Sequence, residues 1–320
     1  MKTFDCRRAL LNRDVVNKLS LCAALVGAIT ACATNAKAGG IGASTAVLFD
    51  NSGSTIDIKP FIGSTFSGLS QKLTSGGIDS LYGLITFRSN YINGANVPEN
   101  IVSTFSGGSL FGTGSDFQAA ANKVINTSGS VDGVQAIEHA LTRAGYVSQF
   151  QTGNARYVML VTDTYREITL SSLSSDGLSS LLASNNTKLS ALVNASFYAA
   201  DGSRLAAIFK DKSGAIVGYR TDGSSTIVPY GRTVVSVLPS NSSLTRLTQT
   251  NFEEVQKFYV NVALNSGGVV GDVTLLGQGG TLETALANAL TAALIQTVVG
   301  PLVPEITKRA LDQSQTTAMR

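Results

Sequence analysis

Three short apolar runs, each stopping abruptly at polar residues, constrain this chain more than anything else in it. They are "STAVLF" (44–49) before Asp50, "SLYGLITF" (80–87), and "YVMLVT" (157–162) before Asp163. Runs this short and rich in Val, Ile, Leu and Phe read as strands covered on both faces. Between the first two, Ile58, Ile62, Phe66, Leu69 and Leu73 recur every three or four residues, one face of a helix, and Gly76-Gly77 ends it. Residues 113–126, 131–146 and 165–184 read as further helices, and 189–200 as a strand. Helix, strand and helix follow again at 251–268, 271–277 and 281–299. Such alternation predicts a mostly parallel sheet wrapped on both faces.

Two segments interrupt the pattern. From about 201 to 250, turn signals at Asp201-Gly202, Ser213-Gly214 and Asp222-Gly223 flank alternating apolar residues, which predicts an inserted β-hairpin or small meander. Residues 284–304 carry no charge, a length that raises a membrane-spanning reading. Asn288, Gln296, Gly300 and Pro301 break that run, and Leu282, Leu286, Leu290, Leu294 and Val298 form a single stripe. One stripe predicts packing against a sheet.

The sequence pI near 8.7 is misleading. Six of the 24 Lys/Arg and two of the 21 Asp/Glu fall in residues 1–38, leaving 18 basic against 19 acidic residues. The remainder is not a basic protein, which argues against a nucleic-acid partner. Residues 1–38 have the form of an export signal: basic residues to Lys18, an apolar stretch Leu19–Ala31, then Ala36 and Ala38 at cleavage-site spacing. "ITAC" (29–32) competes, since it is similar to a lipoprotein signal over 1–31 with Cys32 as the lipidated residue. Either way the expected location is secreted, periplasmic or cell envelope, with membrane contact only through a lipid anchor on Cys32. Cys6, Cys22 and Cys32 all lie in this leader, and His139 is the sole histidine. Zinc-type ligand sets and cysteine nucleophiles are therefore excluded from the mature chain, and a metal there must be a hard cation held by oxygen.

The turn "DNSGS" supplies such oxygens. Asp50, Ser52 and Ser54 alternate just past the first strand, and Asp163 follows the third. Parallel sheets bind ligands beyond the carboxyl ends of their strands. Two carboxylates meeting there repel unless a cation lies between them. The serine hydroxyls add neutral oxygens, and Gly53 is expected to let the backbone turn closely. A hard-oxygen set with two formal charges suits Mg²⁺ first, with Mn²⁺ or weakly held Ca²⁺ as alternatives.

On these residues the chain resembles von Willebrand factor type A domains with their metal-ion-dependent adhesion site. "AVLFDNSGS", "LYGLITF", "GSVDGVQAIEHAL" and "YVMLVTD" fall in that family's order over roughly 43–300. The resemblance implies a Rossmann-like doubly wound, mostly parallel α/β sheet, with the β-rich insertion at about 201–250 and a C-terminal tail at 301–320. It also implies Asp50, Ser52 and Ser54 as first-turn ligands and Asp163 as the later aspartate, commonly acting through water. The family's remaining ligand is a Thr in the loop before the third helix. No Thr stands at that place; Ser130 in "TSGSVDG" is the nearest match, with Asp132 a rival. "TYRE" and "ALNSGG" are similar to features of secreted bacterial members.

The function so implied is an exported, non-enzymatic adhesion module that binds an acidic side chain of a protein partner through a divalent cation. A structural envelope or matrix protein whose metal only pins loops is the alternative. A metal-assisted hydrolase is weaker, since no general base stands near the cluster in sequence.

Overall fold

The computed structural model describes residues 42–127, 129–222, 227–234, 242–278 and 280–299. The leader, Cys32 and the tail 301–320 lie outside these residues.

Strand β1 (Gly42–Asp50) is buried along its whole length, as its near-continuous apolar run requires. It pairs in parallel with β2 (Asp79–Ile92) on one side and β4 (Ala155–Val161) on the other, Val47 lying beside Leu84 and Met159. β5 (Thr187–Val193) pairs in parallel with β4, and β10 (Val269–Asp272) with β5. Side chains alternate between two apolar clusters. Ala46, Leu48, Val158 and Leu160 join the helices α3 (Gly133–Thr142), α5 (Ser175–Ser184) and α7 (Asn261–Ser266). Val47, Phe49, Met159 and Val161 join α1 (Lys59–Ser75), α2 (Gly114–Ala121) and α8 (Gly280–Val299). Fully burying each such Leu, Val or Phe contributes about 1.5–3 kcal/mol. Short helices α4 (Tyr146–Gln149) and α6 (Gln249–Val255) complete the set, a π turn linking α6 to α7.

The expected Rossmann-like doubly wound sheet with an inserted hairpin is not what forms. Strands β6 (Ser196–Ala199), β7 (Arg204–Lys210), β8 (Ile216–Arg220) and β9 (Ile227–Val234) close into a four-stranded antiparallel barrel. β7 pairs with both β6 and β8, and β9 pairs with both β8 and β6, so the ring is complete and the other strands lie outside it. Closure leaves none of the four with a free edge. Register shifts at Tyr198/Ala199 and Leu205/Ala207 bend the strands enough to close. Gly218 permits the same curvature, because a Cβ there would lie 2.5 Å from Leu205 Cδ1. β10 joins this barrel through an antiparallel pairing with β7.

Several boundaries also moved. The expected strand 189–200 breaks after Val193, where Ala195 N donates to Val193 O and Asn194 turns its amide to the Asp163 and Thr245 carbonyls. The expected helix 165–184 begins only at Ser175, and residues 164–174 form a loop. The helix read over 131–146 stops at Thr142, before Gly145 at φ 79°. A whole strand was unforeseen: β3 (Ala95–Val102) returns antiparallel to β2 through the two-residue Asn93-Gly94 turn, both at positive φ. Along α8, Leu286, Leu290 and Leu294 are buried against the sheet; among the described residues no helix is long and apolar enough to cross a membrane.

Candidate metal centre

Parallel pairing of β1 with β4 puts their carboxyl ends side by side, and with them Asp50 and Asp163. Both side chains are fully buried. Asp50 Oδ1 accepts Ser52 N–H at 2.9 Å and Oδ2 accepts the Thr162 hydroxyl at 2.7 Å. Ser54 Oγ donates to Asp163 Oδ1 at 3.0 Å and lies 3.1 Å from Ser52 Oγ. Asp163 Oδ2 accepts Thr245 N–H. Four of the five expected site residues, Asp50, Ser52, Ser54 and Asp163, thus form one continuous chain of contacts.

The turn that carries them is a 3₁₀ segment, Gly53–Asp57. Thr55 pins it from beneath, its hydroxyl within 2.8 Å of Asp50 O and 2.9 Å of Ser52 O, and the Asn126 amide holds Ser52 O and Thr55 Oγ1. Gly53 plays no part in tightening it. Its φ is ordinary and a Cβ there would meet nothing within 4 Å, because a right-handed 3₁₀ turn suits any L residue.

Ser130 and Asp132 part company. The Ser130 carbonyl receives Ser89 N–H and the Ser89 hydroxyl. Asp132 is spoken for: it caps α3 by accepting Val134 and Gln135 N–H, accepts Leu170 and Ser171 N–H, and pairs with Arg166 at 3.1 Å. With its oxygens so occupied it has no lone pair to offer a cation. Glu167, the next acid, accepts Val131 N–H and the Thr164 hydroxyl, each at 3.2 Å.

The electrostatics fit a cation. Burial, then the neighbouring Asp163 charge, pushes the Asp50 carboxyl up to about 7. Burial likewise raises Asp163. The groups that face the pair are hydroxyls and backbone N–H, which soften the repulsion without cancelling it. A divalent ion would cancel it, and every oxygen present is hard. Among the described residues no three His, Cys, Asp or Glu side chains converge, so such an ion would rest on hydroxyls and water as much as on carboxylates. Close by, Asn51 Oδ1, Asn126 Oδ1 and Thr127 Oγ1 are buried without a hydrogen-bond partner. Thr127 lies three residues before Ser130, in the loop where a ligating hydroxyl was sought, and its N–H donates to Asn51 O.

Sequence reasoning missed Thr162 and Thr245. Thr162 had a signal, its place immediately before Asp163; Thr245 had none, since a segment 82 residues away reaches Asp163 only through the fold.

No protein-family model matches the chain, and no curated protein matches it. Among solved structures, it is similar to proximal thread matrix protein 1 from the mussel byssus, at 14% identity and a TM-score of 0.33, over 48% of this chain and 37% of that one. A second crystal form of that protein, and a form with a zinc-occupied MIDAS motif, each align at 18% identity and a TM-score of 0.33, over 48% of this chain and 36% of that one. The chain thus spans little more than a third of the mussel protein. A TM-score this low establishes neither a shared fold nor a shared function.

Proposed function

We propose that this chain is an exported binding protein whose Asp50–Asp163 cluster holds a divalent cation, in the manner of a metal-ion-dependent adhesion site, and presents it to an acidic partner. The observation that carries this reading is the pair of fully buried carboxylates on adjacent strand ends, linked through Ser52 and Ser54 and faced by hydroxyls. Asp50, Ser52, Ser54 and Asp163 would hold the ion, with Ser130 contributed from the neighbouring loop. Bound there, the ion would supply positive charge that attracts a carboxylate. The role is one of binding rather than turnover, with Mg²⁺ the favoured ion and Mn²⁺ or Ca²⁺ alternatives.

One observation favours the structural alternative. The segment 242–247 leans on the cluster: Ser243 Oγ donates to Ser54 O at 2.7 Å and Thr245 N–H to Asp163. An ion beneath it would also pin that segment. An immobilised synthetic Glu-rich peptide separates the two readings. Adhesion predicts retention of the protein in Mg²⁺ or Mn²⁺, loss in EDTA, and weaker retention of Ser52→Ala. Equal retention with and without EDTA leaves only the structural role.

A further inference from the structure

Arg166 and Glu167 are neighbours in sequence with opposite tasks. The Arg166 guanidinium is buried, pairs with Asp132, donates to the Leu173 and Ser171 carbonyls, and lies 5.2 Å from the centre of the Phe258 ring. Asp132 meanwhile receives Leu170 and Ser171 N–H at 2.8 and 3.0 Å. The 164–174 loop is therefore clamped to the start of α3 from both sides, and Glu167 does not swing freely as an ordinary surface acid does.

Held in this way, the Glu167 carboxylate bridges the residue after Asp163 and the residue after Ser130. Oε1 accepts the Thr164 hydroxyl and Oε2 accepts Val131 N–H, both at 3.2 Å. Burial, and to a smaller extent the Asp163 charge, raises the Glu167 carboxyl. We propose that Glu167 is a positioning residue that sets the cation affinity of the cluster, by its hold on Val131 beside Ser130 and by a third negative charge held next to Asp163 through Thr164. This rests on reading the cluster as a cation site. Two carboxylates only neutralise a divalent ion; a third nearby deepens the attraction without joining the inner set, and affinities of oxygen sites follow the charge around them. In the cation-free protein the same charge only adds repulsion. Its contribution is therefore opposite in sign in the two states, which a purely structural residue cannot imitate.

The test is calorimetric titration of the full chain with Mg²⁺ and with Ca²⁺, comparing wild type, Glu167→Gln and Glu167→Asp, together with melting in EDTA. Glu167→Gln should weaken both ions by about tenfold, a size typical of one charge removed near a partly exposed site. It should melt in EDTA no lower than wild type, and Glu167→Asp, which keeps the charge, should recover part of the affinity. Affinities within twofold of wild type would overturn the proposal while leaving the cluster a cation site. Weaker affinity with melting in EDTA lowered by several degrees would overturn it in favour of a scaffolding role. A wild type that binds neither ion would remove the cation reading itself.

Discussion

Asp50 is the residue on which the site turns, because burial and a like charge act on it together. In the unfolded chain its carboxyl titrates near 3.8, whereas in the folded, cation-free protein it is pushed up to about 7. Folding therefore takes up a proton within that window. The stabilising contribution is complete below about pH 4 and is lost as pH rises through 7. Asp163 shifts in the same direction. In EDTA the urea midpoint should accordingly fall between pH 4 and pH 7, and Asp50→Asn, which cannot ionise, should flatten that fall. A variant with the same slope as wild type would mean that Asp50 is ionised in the fold at no cost. At this scale the sequence was informative: "DNSGS" and "VTD" named the four residues that meet. It could not decide between Ser130 and Asp132, since that choice depends on the Leu170, Ser171 and Arg166 donors that fill Asp132, which come from a loop some forty residues away.

Among the elements, the buried parallel strands were legible because a strand covered on both faces must be apolar throughout. The edge was not. β3 reads "ANVPENIV", polar and with a proline at its centre, which argues against a strand. The structure shows why Pro98 is tolerated. Ser103 N–H donates inward to Leu84 O, so by two-residue alternation Pro98 falls on the outward-facing set and removes no ladder bond. It also denies a donor to any strand arriving at this edge. The "NG" at 93–94 was the available signal, since both residues take the positive φ that two-residue hairpin turns favour. The barrel was half legible: its turns were read, its closure was not, because β9 returning to β6 is a pairing between segments some thirty residues apart. Closure depends on small residues where strands bend. Gly218→Val should destabilise the protein by about 1–3 kcal/mol through overpacking against Leu205 and the Ala207 carbonyl, read as a lower urea midpoint. An unchanged midpoint would show that the barrel has slack at that corner.

On the scale of the whole molecule, barrel and site are joined through β10. Its Asp272 is fully buried at the carboxyl end of the strand, and accepts from Thr274 and from Arg204 of β7 at 2.7 Å. The barrel is thereby tied to the same end of the sheet that carries Asp50 and Asp163, and the 242–247 segment that follows the barrel returns to touch Asp163 and Ser54. A protein built this way gains stability from whatever binds the cluster, because an ion that binds only the folded state stabilises it by mass action. Whether the cluster binds an ion is therefore the claim on which the rest depends, and isothermal titration of the full chain with Mg²⁺ at pH 7.5 tests it most directly. The account predicts one ion bound per wild-type chain and none by Asp50→Ala, with the far-ultraviolet circular dichroism of the variant unchanged. Binding of equal strength in Asp50→Ala, or no binding by the wild type, would contradict it.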